Sequence, residues 1–202
     1  MSNLKEVAIK SKKWLKNMKV SSNKELAQQS IGILFCDQII SPKIEVKKIQ
    51  AQTLNLPKSP FSLVTMNKIE LLELFQSISI SNLEQWKVNH QEREQLGKVL
   101  GFLAISYANT EDLSVVAALI RAAAHLNLDN HWLHHALIYL IDQQQPDGCF
   151  GFITSELAFQ GREGPESSLV LRLTIEVLWA LAEVSNREQH NLYDSRSSVF
   201  GI

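Results

Sequence analysis

Gln143-Gln144-Gln145-Pro146-Asp147-Gly148-Cys149-Phe150-Gly151-Phe152 is the stretch on which the reading of this chain turns. It follows an apolar run at helical spacing and precedes a polar loop and a second such run, Ser168 to Val184. Proline and glycine stop a helix, because proline lacks the N–H and glycine accepts positive φ. The stretch therefore predicts a long helix ending in glutamine, a Pro-Asp-Gly turn, and a restart after a short aromatic-glycine segment. A glutamine at a helix end can satisfy orphan carbonyls or reach the following turn. The aromatic residue would then pack back over the turn, so its first role is that of a staple.

Working outward, the apolar residues recur at helical spacing and β-branched alternation is scarce. Asp112 to Asn127 is apolar nearly all round and rich in alanine, which predicts a buried helix over 113–126. Helices are likewise predicted over 131–144, after a cap at Asp129 or Asn130, and over 169–184. Residues 153–167 read as a polar loop and the tail after Asn186 as polar and loose. Toward the N-terminus, Leu4, Val7, Ala8, Leu15 and Met18 share one face of a lysine-rich first helix. Ser21 or Ser22 would cap a second, carrying Leu26, Ile31, Leu34 and Phe35 and ending near Pro42. Residues 43–65 are ambiguous, with a loop forced by Pro57 and Pro60. A short helix covers Ile69 to Phe75. Ser81-Asn82-Leu83-Glu84 reads as the cap of a long helix through Trp86 to about Ala108.

Residues 113–184 resemble the α/α-toroid proteins, namely terpenoid cyclases of the squalene-cyclase type and protein prenyltransferase β subunits. Gln144, Asp147, Gly148, Phe150 and Gly151 stand at the spacing of their Gln-x-x-Asp-Gly-x-(Phe/Trp)-Gly turn, and Thr174 and Ala180-Leu181 match the helix that follows. The resemblance covers these roughly 75 residues, about one and a half repeats with one turn motif. It implies an all-α fold of helical hairpins packed as a partial or irregular α/α toroid. It also implies a biosynthetic enzyme, or an accessory protein of that type, holding an apolar small molecule or a peptide on its concave side. The Asp-x-Asp-Asp acid of the squalene-type cyclases is absent. Asp147-x-Cys149 lies inside the turn rather than on the zinc-ligand segment of the prenyltransferases.

Composition bounds the rest. A chain of 202 residues with 45% hydrophobic and 20% charged residues reads as one globular domain, 1–202, with 187–202 as its loose end. The 20 Lys+Arg against 21 Asp+Glu give a net charge of −1, which argues against nucleic acid as a partner. No apolar run reaches the ~18 residues of a membrane span, and Met1 to Glu6 lacks a signal-like apolar segment. Two cysteines make no disulfide framework, so a cytoplasmic location is expected.

The candidate site residues surround the 153–167 loop, because scaffold loops tend to carry function. They are Arg162, Glu163, Glu166 and Arg172, with His135, Tyr139, Trp132 and Trp179 from the adjoining helices. His131, His134 and His135 are spaced to share a helix face, and His125 and Asp129 lie near in sequence, which raises a metal-dependent enzyme as one alternative. No glutamate follows His131 as in the zincin motif, so the plainer expectation is no metal and no cofactor. Cys149 is a nucleophile only if a basic neighbour lowers its pKa. The lysines of the first helix could meet anionic lipid, or simply face water. The other alternative is a non-catalytic interaction protein forming a homo-oligomer or partner complex. Whether the protein is an enzyme is left open by the sequence.

Overall fold

The computed structural model of the chain describes residues 2–42, 59–80, 89–151 and 165–199, with Ser2, Ile80, 165–167 and 189–199 described by backbone path only. The described residues are all-α, as expected. Among the described residues there are seven α-helices: α1 Ser2–Asn17, α2 Asn23–Ile40, α3 Lys68–Ile80, α4 His90–Asn109, α5 Leu113–His125, α6 His131–Asp142 and α7 Pro165–Val199. A 3-10 helix, Pro60–Thr65, precedes α3 and has proline in its first turn.

Several helix ends have a visible chemical cause. The Ser22 hydroxyl accepts from Glu25 N–H at the start of α2, and Asn89 and Glu92 form a reciprocal capping box at the start of α4. The cap expected at Ser81–Glu84 lies outside the described residues, as do 43–58 and 152–164. Asn130, the second of the two candidates, caps α6 by accepting from Leu133 N–H at 3.0 Å, and its amide donates to Gly97 O on α4 at 2.7 Å. The links α4–α5 and α5–α6 both use a left-handed residue just past the helix, Glu111 (φ 60) and Asn127 (φ 52). In each the next N–H turns back three residues inside the helix, Asp112 to Tyr107 O at 3.0 Å and Leu128 to Ala123 O at 2.8 Å. This satisfies the last carbonyls and reverses the chain within a few residues, so α4, α5 and α6 form consecutive hairpins.

The centre of the molecule is α5. Every residue from Val115 to Ala124 is buried. Its alanines let neighbours approach closely, and it packs against α7, α3, α4 and α6. On the far side of α7 lies α2, which in turn carries α1. Relative to expectation, α6 ends at Asp142 rather than Gln144. The final helix starts earlier, at Pro165, and continues through the stretch read as a polar tail to Val199.

The Gln144–Gly151 turn has a more definite job than closing α6. Gln144 pairs with Phe150 as an isolated antiparallel bridge, and Asp147 Oδ1 accepts from Cys149 N–H. The Gln144 amide donates to Val7 O and Ser11 Oγ on α1, both at 2.9 Å. The Ser11 hydroxyl donates to Gly148 O at 2.6 Å. On the other side, Thr174 Oγ1 of α7 accepts from Phe150 N–H at 3.0 Å, with both residues fully buried. The motif thus fastens α1 to α7, reaching back from Gln144 to Val7 across 137 positions of sequence. Thr174→Val keeps the shape but strands the buried Phe150 N–H. A loss of ~1–3 kcal/mol is expected in urea denaturation, largely restored by Thr174→Ser.

Candidate functional site

Between the end of α5, the first half of α6 and the middle of α7 lies a cleft of about 510 Å³. Its walls are apolar. Ile120, Ala123 and Ala124 come from α5, Leu128 from the link, Leu133 and Leu137 from α6, and Val184 from α7. Four polar side chains join them: Asp129, His134, Arg187 and Glu188. The helical periods explain the grouping, since residues 120, 123 and 124 share one face of α5, 133 and 137 one face of α6, and 184, 187 and 188 one face of α7.

Arg187 ties two of the walls together. Its Nη1 donates to Leu128 O at 2.7 Å and its Nη2 lies 3.5 Å from Asp129 Oδ2, so the α5–α6 link is tied to α7. Its Nε is buried and has no hydrogen-bond partner among the described residues. His134 is exposed and Glu188 half-buried. The volume falls in the range of small-molecule sites, ~300–1,000 Å³, and apolar walls with a few placed polar groups are their usual make-up.

A second polar group lies deeper, between α5 and α7. Arg121 is only 4% exposed. Its Nε donates to Ser79 Oγ of α3 at 2.9 Å, and its guanidinium lies 3.9 Å over the ring of Trp179. Trp179 stacks in turn on Phe35 of α2 at 5.8 Å. Burial lowers the Arg121 pKa to about 10, opposed by the carboxylates of Glu176 and Glu183. The group therefore stays cationic at neutral pH, and four helices converge on it. His125 is one turn further along α5, with its buried imidazole 3.9 Å from Glu183.

The residues singled out from the sequence fall in several places. Arg162 and Glu163 lie outside the described residues, and Glu166 sits in the first turn of α7 with its side chain likewise outside them. Arg172 is exposed and pairs with Glu176 one turn away at 3.1 Å. Trp179 belongs to the Arg121 stack. Trp132 is half in solvent, its ring 4.4 Å from that of His131. His135 is exposed, and Tyr139 turns a buried hydroxyl inward with no partner among the described residues. Burial raises the Tyr139 pKa, with Glu111 adding to the effect. Of those whose side chains are described, none lines the cleft, although His134 beside His135 does. Cys149 is buried and Cys36 too, its thiol pushed up to about 12 by burial. Among the described residues, no three His, Cys, Asp or Glu side chains come together as a metal-binding group.

Sequence reasoning passed over Arg187 and Glu188 because they fall in the stretch read as a tail. The available signal was the heptad-like return of Val177, Ala180 and Val184 one turn ahead of them. What fold and site define is an all-α protein of helical hairpins with an apolar cleft. No protein-family model, no curated protein and no solved structure matches the chain.

Proposed function

We propose that this is a small-molecule-binding protein, an accessory protein or enzyme of biosynthetic type, that holds an apolar molecule in the cleft between α5, α6 and α7. The observation that carries the reading is the lining itself: seven apolar side chains, with Arg187, His134 and Glu188 among them to orient a polar group. The likeness of the Gln144–Gly151 turn to that of the α/α-toroid families, which act on apolar substrates, supports it. In this reading the hairpins are a shortened relative of that fold.

A neutral naphthylamine fluorophore, which brightens in apolar sites, tests the proposal. Titration should show saturable binding, and Leu137→Glu should weaken it at least about tenfold, equivalent to ~1.4 kcal/mol. Leu137 is half-buried, so helix content by circular dichroism should be retained. Equal binding by the variant would sink the proposal.

The interaction-protein reading has its own support, since Phe61, Val64, Ile69, Phe102, Trp132 and Ile138 are all exposed large apolar side chains on the 3-10 helix, α3, α4 and α6. An oligomer lost on Phe102→Ser, in a protein that binds no fluorophore, would favour that reading instead.

A further inference from the structure

The outer face of the α1–α2 hairpin combines unpaired lysines with exposed aliphatic side chains, and we infer that it docks on an anionic lipid surface. The inference is independent of the cleft. Along α1, residues Leu4, Val7, Ala8, Ser11 and Leu15 face the protein. The opposite stripe of the same helix carries Lys5, Ile9, Lys13 and Lys16. Lys12 Nζ bonds Asp37 Oδ1 across the seam between the two helices. Beyond that seam α2 continues the surface with Leu26, Ser30 and Leu34, because residues four apart on a helix share a face.

Two properties make the face unusual for water. First, its apolar residues are large and open: Ile9 is 57% exposed, Leu26 50%, Ile31 45% and Leu34 57%. Second, its charge is one-sided. Each carboxylate of the hairpin is engaged, Glu6 with Lys10 at 2.9 Å, Asp37 with Lys12, and Glu25 with Ser21 and Ser168. The Ser168 hydroxyl, followed by Ser21, holds the Glu25 carboxyl down to about 2, so it stays ionised and occupied. Lys5, Lys13, Lys16 and Lys24 are exposed and without partners among the described residues. The surplus cations thus stand on a chain whose net charge is −1.

Charge complementarity selects an anionic partner, and the rest of the chemistry selects among them. Lys5 and Lys16 are eleven residues apart, or about 16 Å along a straight helix. Cations spread over that distance match a diffuse surface potential, to which each lysine contributes about 1 kcal/mol. The unpaired cations are all lysines, compact point charges rather than the planar fork that grips a phosphate in two bonds. The exposed aliphatic side chains would stay wet on a nucleic-acid backbone, whereas the interfacial zone of a bilayer takes them in. A second copy on this face would set lysines against lysines, since a twofold interface opposes the same patch to itself. The inward face of α1 is already packed, and among the described residues no helix is long and apolar enough to cross a membrane. The contact is therefore peripheral.

The test is co-sedimentation of the full chain with phosphatidylcholine vesicles, with and without phosphatidylglycerol, at low and at high salt. Binding to the anionic vesicles only, released by salt, is expected. Lys5→Ala, Lys13→Ala and Lys16→Ala should each lower partitioning about fivefold, and Ile9→Ser and Leu34→Ser should lower it as well. Lys98→Ala, on α4, should leave it unchanged. All these side chains are exposed, so circular dichroism should show the same helix content throughout. Absence of binding to anionic vesicles, binding indifferent to the hairpin variants, or displacement of the vesicles by a short DNA duplex would each overturn the inference. So would a dimer that Leu34→Ser dissociates.

Discussion

Gly148→Ala is expected to destabilise the protein by at least ~3 kcal/mol, through backbone strain and a steric clash together. Gly148 has φ +104, a conformation that side-chain-bearing residues rarely adopt. A Cβ there would stand 2.4 Å from Lys10 O, a backbone atom in the middle of α1 that cannot rotate away. The turn must deform or α1 must leave its seat. Either route also disturbs the hydrogen bond from Ser11 to Gly148 O and those from Gln144. Urea denaturation followed by circular dichroism measures the effect. Ser11→Ala is the companion, since it removes the two bonds of the Ser11 hydroxyl without a clash and should cost only ~1–2 kcal/mol. Equal, small losses for the two variants would show that the turn is not the fastening of α1.

Leu119→Ala should cost ~2–5 kcal/mol, the range of large-to-small changes in a well-packed core. Leu119 has no exposed surface and sits in the middle of α5, the helix around which α3, α4, α6 and α7 are arranged. With so many rigid neighbours the site collapses poorly, which places the effect toward the upper part of the range. On a total stability of about 5–15 kcal/mol, such a loss is visible as a large fall in the denaturation midpoint. Leu169→Ala is the control. Leu169 is 66% exposed on α7, and its truncation should stay within ~0.5 kcal/mol. A change at Leu119 no larger than that would contradict the central place of α5.

Much of the fold was legible because helical periodicity is local. The all-round apolar Asp112–Asn127 segment could only be a buried helix, and α5 is one. The capping choices at Ser22 and Asn130 follow from side chains that accept from nearby backbone N–H groups. Helix ends were less legible. The polar stretch after Asn186 carries no apolar stripe of its own, so only the continuing backbone of α7 places Arg187 beside Leu128 and Asp129. Arg121 illustrates the same limit. In sequence it interrupts an alanine-rich run. In space it meets Ser79 and Trp179, residues 42 and 58 positions away, which no local pattern connects.

The sequence by itself determined the secondary structure class, the helical character of the long apolar segments such as 113–126 and the presence of a tight glycine turn after Gln144. Those are consequences of short-range sterics, capping and amphipathic spacing. Only the tertiary structure decided what the turn fastens, which helix lies at the centre and which side chains share the cleft. The partners of Gln144 on α1 lie more than 130 positions upstream, and the walls of the cleft come from three helices. Such contacts depend on how helix faces pair in space, and hydrophobic spacing along the chain records that a face is buried, not against what.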